Sequence, residues 1–468
     1  MIRRLTPFLA ALFLAFSPAS GATPVGRALD ASDANYATLR AEVSALRAPQ
    51  EQADTGTPTG SVLEPVDLRI ALFQVARDGE AEHQATALNA QPGGRTEALT
   101  LHSGTATLTD LQSVPEYGDN GLTRPLIIGV GATLRLTEGQ ILRLDRAAGA
   151  FVINFGTLDI TGGGIVSAGG PNLLEPAFAP FVLTGGAGSF AARDAWFEGL
   201  GIARSLSFGG LAVAGQGLYR APSAPRIVNS VLRDVATLAF LSGTEVEVTG
   251  TTFDRSRGSA IVLRGVTGAR LRDNTILDTI KGDGIRLHRS PDSRITGTRI
   301  FRAHASGIVL ESGSHGSRVS DSVIWRAGHQ GVHAEASDCV TLTDLAILAP
   351  RRDGILLRAA QGARVTGSRI MDAGRAGLLI AGQAETARTQ LSGNTLAFNR
   401  TGIETAAPGR LRLSGNDFTD QFPRFLSGDV QAQTPALLRD LTGAAPIVLA
   451  AGGVPDAPPP IQPCPSES

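Results

Sequence analysis

A glycine followed by an aliphatic residue recurs through the second half of the chain. It appears at Gly284-Ile285, Gly307-Ile308, Gly331-Val332, Gly354-Ile355, Gly377-Leu378 and Gly402-Ile403, in steps of 23, 24, 23, 23 and 25 residues. Each start is preceded or followed at a fixed offset by a second short apolar phrase. Examples are Arg270-Leu271, Arg294-Ile295, Arg318-Val319, Thr341-Leu342 and Arg364-Val365, with Ile276, Ile300, Ile324, Ile347 and Ile370 beyond them. Ala260 and Thr237 take the glycine place further back. A fixed period of this length with short strands is a solenoid signature. Helical repeats would be longer and show a 3.6-residue period, and the fixed Leu/Asn pattern of leucine-rich repeats is missing. The expected fold is all-β: a single-stranded, right-handed parallel β-helix (a pectin-lyase-like solenoid). Coils stack about 4.8 Å apart around one apolar column.

The rest of the chain is read around that column. Residues 1–22 have the charged, apolar and small-residue order of a secretory signal, with Arg3-Arg4, then Leu5 to Phe16, then Ser20-Gly21-Ala22. Residues 23–96 are expected to hold a helix, a linker and a mixed region. Tyr36, Leu39, Val43 and Leu46 fall at helical spacing within Asp30 to Ala48, and Leu68 to Val75 suits a strand. The β-helix is placed at 97–420 and a C-terminal cap at 421–456. A Pro-rich disordered tail follows at 457–468. The ends of a solenoid need covers; the first helix and Thr434 to Leu441 are the candidates. Residues 171–208, rich in Pro, Gly and aromatics, read as coils with longer excursions. Cys339 and Cys464 could pair in an export compartment, or Cys339 could be a buried thiol in a strand and Cys464 a separate thiol in the tail.

The charge balance, 42 basic against 43 acidic residues, gives no reason to expect nucleic acid as a partner. The distribution is more informative. Five of the seven histidines fall between 288 and 333, and Lys281 stands against 41 arginines. Counted from the repeat glycine, positions +1 and +3 point inward and +2 and +4 outward. Position +4 then reads Arg264, His288, Glu311, Glu335, Arg358 down the stack, and +2 reads Val262, Arg286, Val309, His333, Leu356. His288, His333, Glu311 and Glu335 should share one exposed face, with Arg264, Lys281, Arg286, Arg289 and Arg358 around them. Adjacent Glu311 and Glu335 repel, which a sheet selected for stability alone would avoid. Carboxylates flanked by His and Arg suit proton transfer or an anionic sugar. Paired carboxylates would also suit glycoside hydrolysis. His304, His315 and His329 sit in turns and read as surface residues. No segment has the tight ligand spacing of a metal site, so no metal and no cofactor is assigned.

From residue 95 to 420 the order of features resembles the periplasmic mannuronan (alginate) C5-epimerases. The phrases are LTLHSGTATLTDL (from Leu99 to Leu111), RPLIIGVGATLRL (124–136), GAFVINFGTLDI (149–160) and FAPFVLTGG (178–186). That family carries Asp-Pro-His-Asp after a Gly-Ile strand start. Here the matching stretch is Ala260-Ile261-Val262-Leu263-Arg264-Gly265, so the histidine position falls on Arg264. On the next coil Lys281 and Arg289 match the family, and Asp283 stands where it has a histidine. The resemblance implies a β-helix that acts on an anionic polysaccharide during export, as an epimerase or lyase with a divergent site. Arg264, Lys281, Arg286, Arg289 and Arg358 would bind substrate, and His288 or His333 would be the base, tuned by Glu311 or Glu335. The competing readings are a non-catalytic β-helix that guards a polysaccharide in an export complex, and a periplasmic metal-handling β-helix. All place the protein in the periplasm or outside the cell.

Overall fold

The computed structural model describes residues 24–50, 63–78, 84–202, 205–215, 223–453 and Cys464. The proposed signal, the linker from 51 to 62 and most of the C-terminal tail lie outside the described residues. Among the described residues three sheets of 15, 14 and 13 strands, parallel except for an antiparallel pair at one edge of each, run along a right-handed β-helix. Each coil contributes one strand to each. The coil of the opening motif gives Ile285–His288 to sheet A, Arg294–Thr296 to sheet B and Arg299–Phe301 to sheet C.

Register follows the repeat. Ile285 pairs with Ile308, Ile308 with Val332, Val332 with Ile355 and Ile355 with Leu378. These +1 residues and the +3 residues Leu287, Leu310, Ala334 and Leu357 are fully buried in one continuous column. The repeat glycine is explained by close approach of the chain rather than by its dihedral freedom. A Cβ added at Gly284, Gly307, Gly331 or Gly354 would lie 2.6 Å from the carbonyl oxygen of the glycine one coil further on. Where Ala260 takes the place, the hydrogen bond that Ile261 N donates to Gly284 O is 3.2 Å, against 2.9–3.0 Å for Ile285, Ile308 and Val332. Residue 283, 306, 330 or 353, immediately before each glycine, is polar and buried. Asp283 N donates to Ser259 Oγ, Ser306 N to Asp283 Oδ1 and Gln330 Nε2 to Asp353 Oδ2. Each buried polar group therefore finds its partner on the neighbouring coil.

Several local expectations need correction. The first helix, α1, spans Pro24–Ala45 and does not close the end of the column. It lies along the outer face of sheet C. Leu39 and Val43 pack with Leu277, Phe301, Trp325 and Leu348, one from each of four successive coils. Tyr36 Oη donates to both oxygens of Asp278 at 2.9 and 2.8 Å. Burial and that carboxylate push the phenol up to about 12. Arg40 pairs with the buried Asp254, which Arg233 also reaches at 3.0 Å. The stripe that makes α1 amphipathic matches a lateral apolar ladder, which a period count on α1 alone cannot distinguish from an end.

Residues 68–78 form a helix, α2 (Leu68–Asp78), rather than a strand. Leu68, Ala71, Leu72 and Val75 are its buried face, at i, i+3, i+4 and i+7 spacing. They sit on the outer face of sheet A over Ile127, Ile153 and Leu183, beside a stack in which Phe181 lies 4.4 Å from Phe151 and 4.5 Å from Phe208. The stretch 171–208 keeps the coil rule: Val182–Thr184, Ser189–Arg193 and Trp196–Glu198 join sheets A, B and C. At the N-terminal end, Leu108 and Leu111 of a short helix (Leu108–Gln112) enter the column. At the other end Leu437, from Thr434–Leu437, and Leu441 pack against it, and Ile447–Ala450 adds an antiparallel edge to sheet B.

Cys339 lies in a turn at φ 59°, not in a strand, and is bonded to Cys464, 125 residues away, with Cα atoms 5.8 Å apart. The pair brings Cys464 against the turn of Gly362. Cross-linking over so long a loop restricts the unfolded chain. Cys464→Ser is expected to lower the unfolding free energy by roughly 2–4 kcal/mol, read as a lower denaturant midpoint; an unchanged midpoint would show the tie to be energetically idle.

Among the described residues no helix is long and apolar enough to cross a membrane.

Candidate functional site

The outer face of sheet A changes character along its length. Toward the N-terminus it is covered by α2 and the aromatic stack. From Val262 onward none of the described helices shares an apolar cluster with it. Its +2 row has a floor of Val262, Val309, Leu356 and Leu379, each no more than 4% exposed. Arg286 and His333 interrupt that floor. The +4 row beside it is polar.

Strand pairing places Arg264 against His288, His288 against Glu311, Glu311 against Glu335 and Glu335 against Arg358. The structure thus brings His288, Glu311, His333 and Glu335 onto one face with Arg286, Arg264 and Arg358. Neighbouring members stand one strand spacing apart, about 4.8 Å. Lys281 and Arg289 are exposed but lie in the two turns that bound this strand, on opposite rims. Arg289 adopts a left-handed φ of 49° there.

The repulsion between the adjacent glutamates is relieved at Glu311 by its own counter-charge. Arg286 Nη1 donates to Glu311 Oε1 at 2.9 Å, and its Nε donates to Asp283 Oδ2 at 2.8 Å. His288 Nδ1 lies 3.4 Å from the same Glu311 oxygen. Burial alone would lower the Arg286 guanidinium, but Asp283 and Glu311 outweigh it and hold it above its ordinary range. Arg286 is therefore a cation held in place by two carboxylates. Asp283 is the residue whose role the sequence hid. Its signal was the polar residue that precedes five of the six repeat glycines, all but Gly377.

His333 is different. Its Nε2 is shielded from water, lies 3.2 Å from Glu335 Oε2, and makes no aligned hydrogen bond. Burial pushes its pKa down; Glu335 opposes that shift, and Arg358 reinforces it. With its pKa pushed down, this imidazole is uncharged at neutral pH, beside a carboxylate and with an exposed Arg358 one coil away. That combination suits a general base next to an anion-binding cation. Among the described residues no group of three His, Cys, Asp or Glu is arranged to hold a metal ion. His304, His315 and His329 lie in turns. His315 Nδ1 accepts from Asp338 N at 2.9 Å.

Residues 242–423 match the family model described as the periplasmic copper-binding protein NosD. No curated protein matches the chain in sequence. Among solved structures the chain is similar to the periplasmic alginate epimerase AlgG, with a TM-score of 0.63 at 17% identity, covering 88% of this chain and 99% of that one. It is more distantly similar to the A-module of the Azotobacter vinelandii mannuronan C-5 epimerase AlgE4, with a TM-score of 0.45 at 14% identity over 69% of this chain and 96% of that one. The AlgG likeness is one of fold and runs nearly end to end.

Proposed function

We propose that this is an exported β-helix protein that binds an anionic polysaccharide on the open part of sheet A and removes the proton beside a sugar carboxylate. The observation that carries the reading is His333: a shielded, neutral imidazole beside Glu335 and Arg358, in a row of buried aliphatic residues. The fold shared with a periplasmic alginate epimerase supports a polyuronate as the polymer, and both the epimerase and the NosD model support a periplasmic location.

In this reading Arg358 neutralises the substrate carboxylate, which acidifies the adjacent C5 proton. The His333 imidazole accepts that proton, and Glu335 stabilises the imidazolium that forms. His288, held by Glu311, is placed further along the same face to return a proton. Return to the opposite side of the sugar gives epimerisation. Without it the carbanion expels the 4-linked sugar and leaves an unsaturated end. Arg264, Arg289 and Lys281 add cationic contacts at the rims.

One observation favours a second reading. Arg286, at the centre of the face, is paired with both Asp283 and Glu311, so the cluster is partly self-neutralised. A face of that kind also suits a protein that holds or guards the polymer during export without changing it.

Purified protein is expected to bind polymannuronate at low ionic strength, with affinity falling steeply as salt is added because the contacts are exposed charges. Arg358→Gln is expected to weaken that binding. Absence of binding to every polyuronate at low salt would contradict both readings.

A further inference from the structure

In the N-terminal half of the column, two arginines converge on the turns that lead from sheet C into sheet A. Arg146 follows the strand Ile141–Asp145, and Arg257 follows Thr252–Asp254, four coils further on. Arg146 reaches forward one coil: its Nε donates to Phe178 O at 2.7 Å and its Nη2 to Pro176 O at 3.0 Å. Arg257 reaches back. Its Nε donates to Asp234 O at 3.1 Å, and its Nη2 to Leu200 O and Gly201 O at 2.8 and 2.7 Å. The two targets belong to one strip of backbone, because Gly201 N donates to Pro180 O at 2.6 Å. Both arginines are half-buried, and the strip borders the aromatic stack that α2 covers.

Among the described residues neither guanidinium pairs with a carboxylate, and neither Nη1 donates a hydrogen bond. Asp234 offers Arg257 only its carbonyl; its carboxylate holds Arg255 at 2.6 Å. Asp145, beside Arg146 in the chain, accepts from Ala148 N instead. Burial first, then the charge of Arg146, push the Arg257 guanidinium below its ordinary range against the pull of Asp234. Arg233 and Arg286 make the contrast, since each meets a buried aspartate, Asp254 or Asp283. Fastening a turn to carbonyls needs only amide donors, which a glutamine supplies without a charge to desolvate. Two like charges brought together in a half-buried turn cost stability unless an anion joins them.

We propose that Arg146 and Arg257 form an oxyanion site that takes a phosphate group. Guanidinium forks match phosphate oxygens in geometry as well as charge. Phosphate near neutral pH carries close to two negative charges, equal to the two cations, whereas a single carboxylate leaves one of them unanswered. Its oxygens also point in several directions, so two arginines arriving from opposite ends of the strip can both engage it. The site is separate from His333 and its neighbours and stands whether or not the protein acts on a polysaccharide.

The test is calorimetric titration of the full chain with inorganic phosphate, at an ionic strength held constant with chloride. Phosphate also stabilises proteins by exclusion from their surface, so the heat of binding is the readout rather than a thermal shift. One phosphate per chain is expected, with a dissociation constant on the order of 1 mM or below, and no saturable heat from acetate. Arg146→Gln and Arg257→Gln should each weaken binding about tenfold, the size of one charge-assisted hydrogen bond. The exposed sheet B pair Arg294→Gln with Arg318→Gln should leave it unchanged. Glucose 1-phosphate distinguishes the source: tighter binding than inorganic phosphate assigns a phosphomonoester, and equal or weaker binding assigns the free anion. No saturable heat from the parent with either probe overturns the site. So does parental affinity in both arginine variants, or equal weakening in the sheet B control. If Arg257→Gln does not fold, Arg146→Gln decides alone, and parental affinity in it overturns the site.

Discussion

His333→Ala is expected to reduce turnover on a polyuronate by about 10²–10⁴-fold, the usual contribution of a positioned general base, with little change in polymer binding. The imidazole is not a surface histidine by default. Its Nε2 is shielded and unaligned with any donor or acceptor, a state that costs stability unless it is used. The pH profile should carry the same signature. Burial lowers the His333 pKa, so the base form persists below the ordinary value of about 6.5. Turnover should hold as pH falls through 6.5 and decline only when it drops through the depressed value. A profile that falls at or above 6.5, or a His333→Ala variant with parental turnover, would assign the base elsewhere, with His288 the next residue to test.

Gly331→Val should have the largest effect on the fold. A Cβ at Gly331 would collide with Ile347 Cγ2 and lie 2.6 Å from the Gly354 carbonyl. Ile347 lies on the sheet C strand of the same coil and Gly354 on the next, so relief requires a core side chain to move and the sheet A hydrogen bonds to lengthen. Overpacking of this kind typically costs about 1–3 kcal/mol. Gly331→Ala should lie in that range and Gly331→Val beyond it, with the denaturant midpoint falling in that order. A valine variant that unfolds at the parental midpoint would show that the glycine is not there for close approach.

These two residues show how differently fold and site were written into the sequence. Gly331 is one of a series at fixed intervals, and the interval, the +1 and +3 aliphatics and the sheet register form one self-consistent pattern. A period of 23 to 25 residues leaves little freedom once the alternation within each strand is known. The coil rule even carried through 171–208, where aromatic loops obscured it. The helices were legible as helices only where their apolar stripe was read at the right period. In α2 the spacing of Leu68, Ala71, Leu72 and Val75 was helical, but eight residues rich in aliphatics also fit a strand. What each helix covers was not legible at all. The partners of α1, from Leu277 to Leu348, are outward residues of sheet C spread over four coils, and no local pattern in α1 encodes them.

At the site, the face shared by His288, Glu311, His333 and Glu335 follows from strand alternation and was readable before any coordinates. The distinction between the two histidines was not. His288 and His333 differ by position, +4 against +2, and only packing shows that +2 is shielded while +4 rests against Glu311. The engagement of Arg286 by Asp283 was hidden for the same reason: a buried residue before the glycine reaches a side chain that the strand presents outward. The disulfide was undecidable because Cys339 was read in a strand; its left-handed turn is what exposes the sulfur to the chain terminus.

The central claim is that His333 removes a proton beside a sugar carboxylate on this face. The direct measurement is incubation of polymannuronate with the protein in deuterium oxide, followed by nuclear magnetic resonance of the polymer. The account predicts deuterium at C5, or an unsaturated sugar terminus, with both lost in His333→Ala. A polymer that binds with salt-sensitive affinity and yet returns with C5 unlabelled and its ends intact would contradict catalysis and leave a β-helix that holds the chain without changing it.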